Sequence, residues 1–173
     1  TRITYEDGTW EGFGYEDSGL LPLWTNRRGQ TATYTYNVAG QVLTKDYSTT
    51  PEMDFSYTYD ATGNLLSTTD AGGTTGFAYY PGTDWLRRID YPGGQWFEFE
   101  YDAAGRRTKR TDQLGGVTNY TYVNGKLDVL TDETGALIVD YDCDAGGRMI
   151  LKTLGNGVYT KYEYDAAGQV LHL

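Results

Sequence analysis

The chain is poor in what a conventional globular core or catalytic centre is built from. Its 173 residues include two Met, five Phe, one Cys and one His. No window carries a sustained apolar stripe at helical spacing, which argues against helices. No apolar run approaches the roughly 18 residues needed to span a bilayer, and no signal-peptide pattern is present. One cysteine, Cys143, rules out an internal disulfide framework and a cysteine-based zinc site. A Ser-His-Asp arrangement or a histidine metal site would rest on His172 alone, second from the last residue. Basic residues are also scarce, 14 against 24 acidic ones, for a net charge of -10. A nucleic-acid surface needs a concentrated basic stripe, so no nucleic-acid partner is expected. The short run Arg106, Arg107, Lys109, Arg110 reads as a solvated strand face.

What is abundant points one way. There are 17 Tyr and 23 Gly, with many Thr and Asp. Tyr and Thr favour pleated strands, whereas Gly and Asp favour turns, so many short strands with tight connections are expected.

Aligning the tyrosines that precede a turn exposes a repeat. Tyr15, Tyr36, Tyr59, Tyr80, Tyr101, Tyr122, position 143 and Tyr164 are separated by 21 residues, except for one spacing of 23. The longer interval contains Thr49-Thr50-Pro51-Glu52, an insertion expected in a loop. Two residues before each tyrosine lie Phe13, Tyr34, Tyr57, Ala78, Phe99, Tyr120, Tyr141 and Tyr162. One residue after it Asp recurs, as Asp60, Asp102, Asp144 and Asp165. Four after it comes Gly, as Gly19, Gly40, Gly63, Gly105, Gly147 and Gly168. Six after it an aliphatic side chain returns at Leu21, Val42, Leu65, Leu86, Met149 and Val170, with Arg107 breaking the column. Internal periods of this size signal repeat architecture.

The spacing is that of a hairpin. Strand side chains alternate, so aromatic-x-aromatic places both rings on one face. Asp then accepts backbone N–H bonds in the turn, and Gly supplies the left-handed conformation that releases the chain into the next strand. Asn124-Gly125 predicts a shorter turn in the sixth repeat. A second turn follows about ten residues later, as in Asp112-Gln113-Leu114-Gly115-Gly116. Eight repeats therefore predict an all-β fold of about sixteen strands, an antiparallel meander coiled into an arc, open spiral or barrel, because so wide an open sheet normally curls or closes. One face should carry the rings, and the other Thr, Asn, Asp and Glu. Tyr rather than Phe suits rings that pack while their hydroxyls reach water or backbone.

The run Tyr59-Asp60-Ala61-Thr62-Gly63-Asn64-Leu65, echoed by Tyr164-Asp165-Ala166-Ala167-Gly168-Gln169-Val170, resembles the YD repeat of Rhs proteins, toxin-complex cocoon proteins and teneurins. The resemblance covers essentially the whole chain. It implies a β-sheet spiral forming a hollow shell, which in bacterial members holds a C-terminal toxin and in teneurins serves adhesion. It further implies a secreted or cell-surface protein of bacterial type, partnered by adjacent YD repeats or an enclosed toxin. Complete shells are many times longer, and with Thr1 in place of Met the chain is expected to be one array, 1–173, cut from something longer. The Asp-Pro-x-Gly-Leu end at which such shells cleave themselves is missing, since none of Pro22, Pro51, Pro81 or Pro92 follows Asp.

Site chemistry is sparse. No catalytic residue and no cofactor is expected. Cys143 reads as a small buried apolar substitute in the tyrosine column. Asp140, Asp142 and Asp144 would place three carboxylates on one face before a glycine turn, a calcium-like cluster, although Ala145 and Leu151 stand where an EF-hand loop needs Gly and Glu. Asp17-Ser18-Gly19 reads as a turn, and Asn119-Tyr120-Thr121 as strand. Trp10, Trp24, Trp85 and Trp96 lie outside the tyrosine columns and are candidates for stacking on sugar rings. Two functions follow: a non-enzymatic shell segment or, as the alternative, a carbohydrate- or cell-surface-binding module.

Overall fold

The computed structural model describes residues 1–49 and 54–172, and the insertion around Pro51 lies outside them. Every regular element in the described residues is a strand. The chain begins with β1 (Arg2–Thr4), β2 (Trp10–Gly14), β3 (Leu23–Thr25), β4 (Thr31–Tyr36) and β5 (Val42–Tyr47). Next come β6 (Phe55–Tyr59), β7 (Leu65–Asp70), β8 (Gly73–Tyr79), β9 (Leu86–Asp90), β10 (Trp96–Tyr101) and β11 (Arg107–Asp112). They are followed by β12 (Val117–Val123), β13 (Lys126–Thr131), β14 (Leu137–Cys143) and β15 (Met149–Leu154). The last are β16 (Tyr159–Lys161), β17 (Glu163–Tyr164) and β18 (Val170–His172).

The first sixteen strands form one sheet in strict sequence order, and the order ends at β1 and β16, so the sheet is not closed. The pair β17–β18 is set apart from it, with only Tyr162 separating β16 from β17. Contacts divide the chain into two compact units, residues 1–78 with 89–94 and residues 79–88 with 95–173.

One turn design recurs. In Asp60-Ala61-Thr62-Gly63-Asn64 the Asp60 amide donates to the Asn64 carbonyl at 2.9 Å, and the Gly63 amide donates to the Asp60 carbonyl at 3.1 Å. Gly63 sits at φ 96°, the left-handed region in which a side chain is disfavoured. Beyond the turn the strand register shifts between Thr58 and Tyr59, where Leu66 is the extra residue on β7, a bulge. The same pair of backbone bonds closes turns beginning at Asp102, Asp144 and Asp165, and also second turns beginning at Asp112 and Asp132. Asp17-Ser18-Gly19 falls within such a turn, closed by Glu16 and Leu20. At Asn124-Gly125 both residues have positive φ, 50° and 78°, and Val123 pairs with Lys126 across a two-residue loop. That is the primed turn that suits Asn-Gly.

The sheet has almost no core. Among the described residues Ala32, Phe99 and Val139 are the buried apolar ones, at 0%, 5% and 6% exposure, and no large side chain is fully buried. Exposure instead alternates along the strands. In β6 Phe55, Tyr57 and Tyr59 are half-buried while Ser56 and Thr58 are exposed. In β12 Tyr120 and Tyr122 are half-buried and Thr121 is exposed. A single layer can bury only what its own neighbours cover, so each repeat depends on the next for its apolar contact.

Candidate functional site: the repeat junctions and the aromatic face

Each regular tyrosine is a tie to the repeat before it. The Tyr36 hydroxyl donates to the Leu21 carbonyl at 2.8 Å, Tyr101 to Leu86 at 2.8 Å, Tyr122 to Arg107 at 2.8 Å and Tyr164 to Met149 at 2.7 Å. Tyr59 donates to Val42 at 2.9 Å, so the two-residue insertion between those repeats leaves the tie intact. The acceptors are the backbone carbonyls of the aliphatic column, including Arg107, whose side chain breaks that column but whose carbonyl does not. A half-buried phenol satisfied in this way contributes about 1 kcal/mol per junction.

A second link, not legible in the sequence, runs along the turns. In four repeats the residue five places after the column position reaches the turn glycine or tyrosine ring of the following repeat, whereas Asn64 bonds within its own turn. The Gln41 amide donates to the Gly63 carbonyl at 2.9 Å. Trp85 lies tilted against Tyr101 at 5.6 Å, close enough to Gly105 that a β-carbon there would meet the indole at 3.1 Å. The Arg106 guanidinium covers the Tyr122 ring at 4.8 Å, and Arg148 covers Tyr164 at 4.9 Å. Lys126, one place early because of the short turn, donates to the Gly147 carbonyl.

Three of the eight column positions depart from the rule. Tyr80, before the wider Pro81-Gly82 turn, reaches forward to the Phe99 carbonyl at 2.9 Å and meets Tyr101 edge-on at 6.2 Å. Cys143 is exposed, not the buried substitute its column suggested. A thiol cannot span to the preceding repeat, and a hollow of about 410 Å³ opens beside it, lined by Leu127, Asp128, Lys126, Tyr141 and Gly147 among others. Tyr15, in the first repeat, is 56% exposed.

The turn carboxylates are held by their own loops. Asp60 accepts the backbone amides of Thr62 and Asn64, both at 2.9 Å, and the Thr62 hydroxyl at 2.7 Å. These bonds, the Thr62 hydroxyl foremost, lower its carboxyl to about 2. Asp102 and Asp132 are lowered from the same slot, chiefly by the Arg106 side chain and the Thr134 hydroxyl respectively. Asp144 is lowered chiefly by the Arg148 backbone amide, and its carboxylate also holds the Arg148 side chain at 2.7 Å.

That engagement bears on the calcium-like cluster. Asp140 and Asp142 lie on β14 opposite Thr153 and Leu151, while Asp144 is committed to its turn. Among the described residues no group of three or more His, Cys, Asp and Glu side chains is placed to hold a metal ion. The tryptophans are likewise occupied within the chain. Arg2 covers Trp10 at 4.6 Å and Arg88 covers Trp96 at 4.4 Å. Trp24 sits in register between Phe13 and Ala32. Asn119 also faces inward to the sheet, its side-chain amide donating to the Asp132 carbonyl at 2.9 Å.

The basic run is not a uniformly solvated face. Lys109 pairs with Glu100 at 3.1 Å, but Arg110 lies opposite Phe99 in register and Arg107 opposite Tyr101. The Arg107 guanidinium lies 4.2 Å from the Phe99 ring centre and Arg110 5.1 Å from that of Phe97. The Nε atoms of both are buried without a hydrogen-bond partner.

An open sheet of hairpin repeats in strict sequence order, tied by tyrosine hydroxyls, defines a β-repeat protein. The teneurin YD-shell family profile matches residues 12–172, and the chain belongs to that family. It is 28% identical over 183 aligned positions to the tRNA3(Ser)-specific nuclease WapA of Bacillus spizizenii, covering 98% of this chain and 7% of that protein. Its fold matches the crystal structure of TcdB2-TccC3 with a TM-score of 0.74 at 16% identity, covering 96% of this chain and 10% of that one. The Photorhabdus luminescens Tc holotoxin pore matches with a TM-score of 0.56 at 19% identity, covering 96% and 9%. The chain thus spans a tenth or less of the length of these relatives.

Proposed function

We propose that this chain is a non-enzymatic wall segment of a YD shell, part of a longer secreted or surface-delivered bacterial protein that encloses a toxin domain. The observation that carries the reading is the tie from five of the column tyrosine hydroxyls to the carbonyl column of the preceding repeat. Such a contact is made by every regular repeat with its neighbour alone, so it extends a wall without limit and needs no ligand. The family match over residues 12–172 and the fold shared with toxin-complex proteins support the shell role.

The test is protease protection in the parent polypeptide. With the wall intact, a C-terminal domain should survive digestion that destroys it once residues 79–173 are deleted. Equal survival after the deletion would refute encapsulation. Incubating the 173-residue chain with tRNA tests the non-enzymatic part: no cleavage is expected, and metal-dependent cleavage by the purified chain would refute it.

A further inference from the structure

Cations in this chain fall into two groups. Arg27, Arg87, Arg88, Arg106, Lys109 and Arg148 each lie within ion-pair distance of an Asp or Glu. The other eight of the 14 have no such partner among the described residues, although the chain carries ten more acidic than basic side chains, and three of the eight, Arg107, Arg110 and Lys152, lie together on β11 and β15. All three project from the ring-bearing side of their strands. Arg107 pairs with Tyr101, Arg110 with Phe99, and Lys152 with Tyr141. Lys45 occupies the same slot as Arg110 and Lys152 in its own repeat, opposite Tyr34.

We propose that the aromatic face of β10–β15 is a docking surface for an acidic segment of a partner polypeptide, one that interleaves carboxylate and apolar side chains. A guanidinium pressed on rings and lacking a counter-ion is an expensive arrangement unless an anion completes it. The Arg107 side chain makes no hydrogen bond within the described residues, and the Arg110 side chain makes one, to the Thr118 hydroxyl at 3.1 Å. With their Nε atoms buried, the terminal nitrogens remain as the donors, and that edge suits a carboxylate. The half-buried rings of Tyr120 and Tyr141 on the same side offer apolar surface that a free inorganic anion cannot use. Cations dispersed singly among the rings do not make the continuous basic stripe that a phosphate backbone needs, so a polypeptide that spaces its carboxylates fits the surface better than a nucleic acid. This inference concerns the face itself and stands apart from the shell reading.

The experiment uses the 173-residue chain and short labelled peptides, followed by fluorescence anisotropy at low ionic strength. A peptide of alternating glutamate and leucine should bind, and the corresponding lysine-leucine peptide should not. The informative variants are borrowed from the chain's own repeats, so that the sheet is kept. Arg107→Leu restores the residue type of Leu65 and Leu86, and Arg110→Thr copies Thr68 opposite Tyr57. Each should weaken binding about tenfold, the loss expected for a charge-assisted contact. Lys152→Gln, which gives up no ion pair among the described residues, should weaken it severalfold without moving the melting temperature. Lys109→Ser, copied from Ser67 on the opposite face, should leave binding unchanged. Equal binding of the lysine peptide, tighter binding of a single-stranded oligonucleotide, or an effect of Lys109→Ser as large as that of Arg107→Leu would overturn the proposal. So would undiminished binding by the Arg107→Leu/Arg110→Thr double variant.

Discussion

Replacing Cys143 with tyrosine should stabilise the chain, because the junction between the sixth and seventh repeats lacks the tie that five others have. Cys143 pairs with Met149 as Tyr122 pairs with Leu127, so a phenol at 143 would point along the same path as its neighbours. The hollow of about 410 Å³ beside Leu127 and Lys126 leaves it room. Its hydroxyl would reach the Leu127 carbonyl, the counterpart of the acceptors at Leu21, Leu86 and Met149, for about 1 kcal/mol. Half-burying the ring adds about 1.5 kcal/mol at ~25 cal/mol per Å². A lysine ammonium near its face, where Arg106 and Arg148 serve the adjacent rings, adds about 0.5 kcal/mol. Ordering the side chain costs about 1 kcal/mol. The net gain is about 2 kcal/mol, which for a chain of this size raises the melting temperature by about 4–8 °C. Cys143→Phe, carrying the ring without the hydroxyl, should recover about half. Thermal melts followed by circular dichroism measure the gain, and amide exchange should place the added protection in β13, β14 and β15. If Cys143→Tyr is no more stable than Cys143→Phe, or both fall below the parent, the hollow is not a vacated phenol slot.

The same reasoning run backwards predicts that Tyr122→Phe costs about 1 kcal/mol, seen as a lower denaturation midpoint in urea with an unchanged slope. A loss no larger than that of an exposed Glu133→Gln control would refute the tie. Glycine positions should separate into two kinds. Gly115→Ala, at φ 83° with open space around it, should cost about 1 kcal/mol of backbone strain, whereas Gly155→Ala should cost several times more, because its β-carbon would fall 1.9 Å from the Leu137 carbonyl oxygen. Comparable melting temperatures for the two variants would count against that geometry. The Asp60 carboxyl, lowered to about 2 in the folded chain, contributes stability that is fully present above the ordinary aspartate range and is lost as pH falls toward 2. Asp60→Asn should keep the turn, since Asn37 accepts the Ala39 and Gln41 amides from the same slot, and should flatten the acid limb of stability against pH. An acid limb as steep in the variant as in the parent would refute this.

Much of the molecule was legible because its rules are local. Strand alternation sent Tyr57 and Tyr59 to one side of β6 and Thr58 to the other, and Asp with Gly at the spacing of Asp60 and Gly63 admits one common hairpin connection. The repeat period therefore determined, without coordinates, an all-β antiparallel meander and the short Asn124-Gly125 turn. Three things were decided only in three dimensions. The carbonyl met by each phenol depends on the offset between consecutive hairpins, which no single repeat encodes. Cys143 looked buried because its column is half-buried elsewhere, yet the rings do that burying themselves, so a small side chain leaves a hollow rather than a filled core. Arg107 and Arg110 looked solvated by composition, but the bulge at Thr108, opposite the Glu100–Tyr101 step, sets both on the ring-bearing side. Short-range sterics and alternation are written residue by residue. What touches across a junction is set by how one hairpin lies against the next.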